Sequence, residues 1–130
     1  MIVLDASAVV EWLLRTSAGQ KINRRIYLHG ELLHAPHLLD LEVTQVLRRE
    51  VREQRVSLVR AEEAIHDLMR LNIRRYPHTR LLPSIWRHRH TLTAYDAAYV
   101  ALTETLGATL LTRDARLAAT HGHSAKIELF

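Results

Sequence analysis

Five short strand-like runs divide this chain, and the stretches between them carry the three-and-four spacing of amphipathic helices. "MIVLD" (1–5) is a strand pattern ending at an acid, and "ASAVVEWLL" (6–14) follows at once with helical spacing. After a turn around "TSAG", "QKINRRIYLHG" predicts a second helix closed by Gly30. "ELLHAP" is a short strand stopped by Pro36, and "HLLDLEVTQVLRREVREQ" follows as an amphipathic helix with Leu38, Leu41, Val46 and Val51 on its apolar face. "SLVRAEEAIHDLMRLN" opens on Ser57 and repeats the pattern with Val59, Ala64, Ile65 and Leu68. "IRRYP" is another strand pattern, and Pro83 opens a short helix through "SIWRHRH". "TAYDAAYVALTE" (93–104) is a helix closed by Gly107, "ATLLT" a strand, "RDARLAATHG" a helix from Asp114, and "AKIELF" the last strand. Strands alternating with helices predict an α/β domain with a mainly parallel sheet. No linker or repeat divides the chain, so residues 1–130 are expected to form one domain.

Composition narrows the chemistry. The chain lacks cysteine, which excludes disulfides, zinc–thiolate sites and thiol catalysis. The N-terminal apolar run has no basic flank and is broken by Asp5 and Glu11, unlike a secretory leader. No run approaches the roughly 18 apolar residues of a membrane span, and the expected location is the cytoplasm. Net charge is +4, and of the 18 basic residues only Lys21 and Lys126 are lysine. Arginine suits bidentate phosphate contacts and base stacking, so the balance favours a polyanionic partner.

Four acids stand at element starts. Asp5 ends the first strand, Glu42 lies early in the third helix, Asp96 interrupts the most apolar part of its helix, and Asp114 follows the strand "ATLLT". Each has a local explanation. Asp5 and Asp114 fit N-caps, Glu42 fits the favourable end of a helix dipole, and Thr93-Ala94-Tyr95-Asp96 fits a capping box. In a parallel sheet, however, strand carboxyl ends and helix amino ends share one edge, where ligand crevices form. Four carboxylates converging there would repel one another and need a cation. All-oxygen ligation suits magnesium or manganese rather than zinc. Ser7 and Thr112 stand two residues from Asp5 and Asp114 and could bond a carboxylate, a water or a phosphate oxygen. Asp40 is a poor substitute for Glu42, because positions two apart on a helix do not share a face.

The nine histidines include "HRH" (88–90) and "HGH" (121–123), but neither has the HExxH helical spacing or a cysteine partner. Phosphate-cradling glycine loops are absent. "REVREQR" (49–55) has the alternating charge of a solvated helix face.

Taken together and in order, these segments resemble the PIN domain, specifically the small VapC-type toxins of toxin–antitoxin pairs. "MIVLDASAVV" resembles the family's first strand with its acid and following small hydroxyl. "APHLLDLEVTQVLRR" resembles the segment in which a proline precedes the second acid by six residues. "TAYDAAYVALTETLGATLLTRDARLA" resembles the third acid on a helix and the strand ending in Thr-x-Asp. The resemblance covers residues 1–120 and implies a three-layer α/β/α PIN-like fold. It carries an acidic quartet over to Asp5, Glu42, Asp96 and Asp114, with Ser7 and Thr112 as accessory positions. Where some relatives place a fifth acid, this chain has Arg116 and Leu117.

The resemblance implies a metal-dependent endoribonuclease toxin that cuts RNA and arrests translation. It implies one or two Mg²⁺ or Mn²⁺ ions on the quartet and silencing by a VapB-type antitoxin. It also implies a homodimer that assembles with the antitoxin into a larger complex. Asp5, Asp96 and Asp114 are the expected ligands, Glu42 ligates or orients the attacking water, and Arg113 or Arg116 is a candidate phosphate grip. Two other readings predict different chemistry. A dehalogenase-like or receiver domain would require Asp-x-Asp or a late-sheet lysine, where this chain has Asp5-Ala6-Ser7 and only Lys21 and Lys126. A non-catalytic RNA- or partner-binding module would bind without metal dependence.

Overall fold

The structure, a computed structural model, describes residues 1–130. The five expected strands form one sheet: β1 (Ile2–Leu4), β2 (Leu33–Pro36), β3 (Ile73–Tyr76), β4 (Thr109–Thr112) and β5 (Lys126–Leu129). Their order is β3-β2-β1-β4-β5 and every pairing is parallel. β1 pairs with β2 in the register Val3–His34 and with β4 in the register Val3–Leu110. The chain winds outward from β1 through β2 to β3, then returns across β1 to β4 and β5. The reversal puts the topological switch point between β1 and β4, where open α/β sheets form ligand crevices beyond the strand carboxyl ends.

Seven helices cover the sheet. They are α1 (Ala6–Leu13), α2 (Ser17–Leu28), α3 (Leu38–Arg52), α4 (Leu58–Arg70), α5 (Leu82–Arg87), α6 (Ala94–Leu106) and α7 (Ala115–Ala118), with a 3₁₀ turn at Thr79–Leu81 before α5. α1 packs against α2, α3 and α4 in one layer, while α6 lies across β1, β2 and β4 with α5 against it. The result is a three-layer α/β/α domain. Helix starts follow their caps: Asp5, Thr16, Ser57, Thr93 and Asp114 each accept a first-turn backbone N–H through a side-chain oxygen. Gly107, at φ +59°, ends α6 in the left-handed conformation that glycine adopts without a Cβ penalty and turns the chain into β4.

The sheet centre is apolar throughout. Ile2, Val3, Leu4, Leu110 and Leu111 are fully buried, as a parallel sheet covered on both faces requires. Two helix faces differ from the sequence expectation. On α3 the buried stripe is Leu39, Val43 and Leu47, whereas Leu41 is 76% exposed. On α4 it is Ala61, Ala64 and Leu68, and Val59 faces solvent. Each observed stripe steps by three or four residues; the expected ones mixed positions from two faces, because these helices carry apolar residues on both. α2 also begins earlier than expected, at Ser17, because Thr16 caps it.

Gly19 lies where α2 crosses α1. A Cβ built there would stand 1.9 Å from the Glu11 carbonyl oxygen, a backbone atom that cannot rotate away. Gly19→Ala is therefore expected to force the helices apart and cost about 1–3 kcal/mol by overpacking, read by urea denaturation. A variant as stable as the parent would show that the α1–α2 crossing relaxes freely.

Candidate active site at the carboxyl edge of the sheet

β1 and β4 end side by side, and the residues that leave them form one hydrogen-bonded knot. Asp5, 5% exposed, places its carboxylate between the two turns. Its Oδ1 accepts from Ser7 Oγ at 2.7 Å and from the Ala8 backbone N–H at 2.9 Å, and its Oδ2 accepts from Thr112 Oγ1 at 2.5 Å. The hydroxyls in turn accept from the β4–α7 turn. Ser7 Oγ takes the Arg113 N–H at 2.8 Å, and Thr112 Oγ1 takes the Asp114 N–H at 2.9 Å. Both hydroxyl protons go to Asp5, so the 3.3 Å contact between Ser7 and Thr112 holds no further proton. Of about four lone-pair positions on a carboxylate, three on Asp5 are taken and one remains.

The other acids arrive from separate elements. Asp114 caps α7 through Oδ1, which accepts from Arg116 N at 2.8 Å and Leu117 N at 3.3 Å, and its Oδ2 lies 3.6 Å from the Arg116 guanidinium. Asp96 is the third residue of α6. Thr93 Oγ1 accepts its backbone N–H at 3.1 Å, so the hydroxyl performs the cap and the carboxylate is released from it. Glu42 stands in the second turn of α3, where its Oε2 accepts the Tyr99 hydroxyl at 2.6 Å.

The charges of the four acids interact around a closed circuit. Burial raises Asp5 above the usual carboxylate range against the bonds from Thr112, Ala8 and Ser7, and Asp114 raises it further. Burial raises Glu42 against the Tyr99 bond, with Asp96 and Asp5 adding like charge. Burial and then Asp114 raise Asp96, against Thr93 and Arg116. Asp5, Glu42 and Asp96 have no ion pair with any arginine, lysine or histidine. The four are neighbours in charge rather than a finished cage, because no group of three or more His, Asp or Glu side chains stands in metal-holding geometry. Their chemistry nevertheless fits a hard divalent ion: every donor is oxygen, Asp5, Glu42 and Asp96 make no ion pair, and Asp5 and Glu42 each keep unbonded acceptor capacity.

The other sequence candidates have found different work. Asp40 is held by a forked ion pair from Arg75, with nitrogen–oxygen distances of 2.9–3.1 Å, and plays no part in the crevice. Arg113, the other candidate phosphate grip, donates its guanidinium to the Phe130 carbonyl. Arg116, with its side chain 90% exposed beside Asp114, keeps that candidacy. The buried His88 bonds Glu104 at 3.1 Å and meets the ring of His123 edge-on, a structural contact away from the quartet. Arg55 pairs with Glu50 and Glu53, as a solvated helix face predicts. A surface groove of about 740 Å³ between α1, α2 and α4 contains none of the four acids. One residue of the site escaped the sequence reading. Tyr99 stands in the apolar part of α6, where a buried tyrosine needs a partner for its hydroxyl, and that need is the available signal.

A doubly wound parallel sheet with four acids around its switch point defines the class: an α/β/α domain with an acidic crevice at the sheet's carboxyl edge. The sequence matches the PIN domain over residues 2–122. Ribonuclease VapC12 of Mycobacterium tuberculosis is 45% identical over 129 residues, covering 99% of this chain and 98% of that protein. Ribonuclease VapC1 of the same organism is 44% identical over 128 residues, covering 98% and 96%. The chain belongs to the PIN-domain family, in its VapC-type branch. Among solved structures, PAE2754 from Pyrobaculum aerophilum superposes with a TM-score of 0.68 at 26% identity, covering 97% of this chain and 87% of that one. Mycobacterium tuberculosis VapC20, a toxin that cleaves the sarcin–ricin loop, gives 0.67 at 15% identity over 92% and 94%, a likeness of fold alone.

A carboxyl whose folded-state pKa is raised costs nothing below its unfolded value, 3.8 for Asp96, and destabilises the fold as pH climbs through the raised value. Metal-free Asp96→Asn, which keeps the backbone N–H that Thr93 caps, is therefore expected to melt above the parent at pH 7 and level with it near pH 3. A lower melting temperature at pH 7 would mean that the carboxylate stabilises its helix more than its neighbours repel it.

Proposed function

We propose that this chain is a VapC-type toxin, a metal-dependent endoribonuclease that hydrolyses RNA phosphodiester bonds and so inhibits translation. The observation that carries the proposal is the circuit of mutually repelling acids, three of them in no ion pair, at the switch point of the sheet. Like charges gathered this way, Asp5 buried and the other three half-buried, are tolerable when a cation joins them. The names of the VapC relatives, both ribonucleases, point the same way.

Asp5, Asp96 and Asp114 would hold Mg²⁺ or Mn²⁺, with Glu42 as a further ligand or as the group that orients water. The chemistry such an ion supplies when bound is neutralisation of charge on the scissile phosphate and acidification of water. The protein's own part is positional. Ser7 and Thr112 fix both Asp5 oxygens, and through the Arg113 and Asp114 amides they hold the β4–α7 turn, and with it Asp114, against β1. Water attacks phosphorus in line, the bond to the 3′ oxygen breaks, and the proton passes to that oxygen, leaving a 5′-phosphate and a 3′-hydroxyl. Arg116, beside Asp114 and open to solvent, would meet a flanking phosphate. We further propose a homodimer that a VapB-type antitoxin silences in a larger complex, acting in the cytoplasm, where its RNA substrate lies. No helix of the chain is long and apolar enough to cross a membrane.

Asp96→Asn and, separately, removal of divalent ions with EDTA are each expected to lower RNA cleavage by more than about a hundredfold while the protein stays folded, scored by gel with circular dichroism alongside. RNA binding that persists with no cleavage under any divalent ion would instead identify a non-catalytic binding module.

A further inference from the structure

Glu42 is the one member of the quartet whose carboxylate is bonded by a side chain from the opposite helical layer. We propose that Tyr99 is a positioning residue that fixes Glu42 in the acidic crevice for ion binding. The inference rests on the proposed metal-dependent reading of the site.

Tyr99 sits three residues after Asp96 on α6, so the two side chains share a helix face. One face thus supplies an acid of its own and the hydroxyl that holds the acid of α3. The ring is 2% exposed and packed within the core, and a phenol of this kind has only two rotatable bonds. Its hydroxyl is therefore fixed to within the tolerance of the core. Glu42, by contrast, projects from a helix on three rotatable bonds, and Tyr99 is its only hydrogen-bonding side-chain partner. The 2.6 Å bond takes Oε2 and leaves Oε1 without a protein partner. An ionised carboxylate only accepts, so the tyrosine must donate. Packing alone does not call for this hydroxyl: a phenylalanine ring fills the same space, so what the hydroxyl adds is its bond to Glu42 and its approach to the Ala6 backbone N–H. The oxygen at position 99 acts on Glu42, as outer partners of ion ligands do when they set a ligand's orientation and basicity.

The test is Mn²⁺ binding to RNA-free protein, read by electron paramagnetic resonance, for the parent, Tyr99→Phe, Glu42→Gln and the double variant. Tyr99→Phe is expected to bind Mn²⁺ about tenfold more weakly than the parent, the loss typical of removing an outer-sphere partner. On the Glu42→Gln background the same change is expected to add nothing, because its target is already altered. Parent-like affinity in Tyr99→Phe, or an equal further loss in the double variant, would overturn the positioning role and leave the metal-dependent reading intact. A parent that binds no Mn²⁺ would overturn both. Should Tyr99→Phe not fold, Glu42→Asp draws the carboxylate back from an intact Tyr99. It is expected to weaken Mn²⁺ binding similarly, and unchanged affinity would overturn the proposal.

Discussion

A carboxylate sealed at the junction of two strands organises this molecule. Asp5 leaves β1 where β4 ends beside it, and its two oxygens take hydrogen bonds from Ser7, Ala8 and Thr112. An unpartnered charge at this depth would be expensive or would neutralise itself. Here local donors offset much of the cost and leave the carboxylate a free position. The same bonds pass through Ser7 and Thr112 to the backbone of the β4–α7 turn, so the α1 and α7 starts are fixed relative to each other. Capping and site formation are one event at Asp5. The oxygen that starts α1 belongs to the group that anchors the crevice.

The basic surplus of the sequence and the acidity of the crevice cease to conflict once the arginines are followed to their partners. Arg25 bridges Glu31 and Glu128, Arg75 forks onto Asp40, Arg55 onto Glu50, and Arg60 and Arg113 bind backbone carbonyls. Five of the sixteen arginines therefore hold parts of the fold together. What remains near the quartet is Arg116, close enough to Asp96 and Asp114 to oppose their repulsion and exposed enough to reach outward.

The element order was legible because local chemistry and tertiary need agree there. The central strands are short apolar runs, and most helices open on a residue whose side chain caps them. The four acids were legible as a set only through topology. Asp5 and Asp114 are 109 positions apart, yet a parallel sheet brings every strand's carboxyl end to the same edge, and pairing β1 with β4 makes the two acids neighbours. Helix faces were less legible. α3 carries Leu38 and Leu41 as well as Leu39, Val43 and Leu47, and spacing alone does not say which stripe meets α1. Arg113 and Tyr99 were illegible for another reason. Their roles depend on partners far away in sequence, the Phe130 carbonyl and the Glu42 carboxylate.

Such a crevice opposes the stability of its own fold. Three carboxyls are shifted upward, so their ionised forms strain the native state at neutral pH. The opposing stability must come from regions that take no part in chemistry. The sealed strands β1 and β4 supply it, as do the alanine-rich inner face of α6 and the close α1–α2 crossing at Gly19. α6 shows both demands within a single helix. Ala97, Ala98, Ala101 and Leu102 bury its length against the sheet, while Asp96 and the hydroxyl of Tyr99 point its first turns at the acids. The apolar bulk of that helix is the physical reason that an aspartate at its start can be held where it is least comfortable.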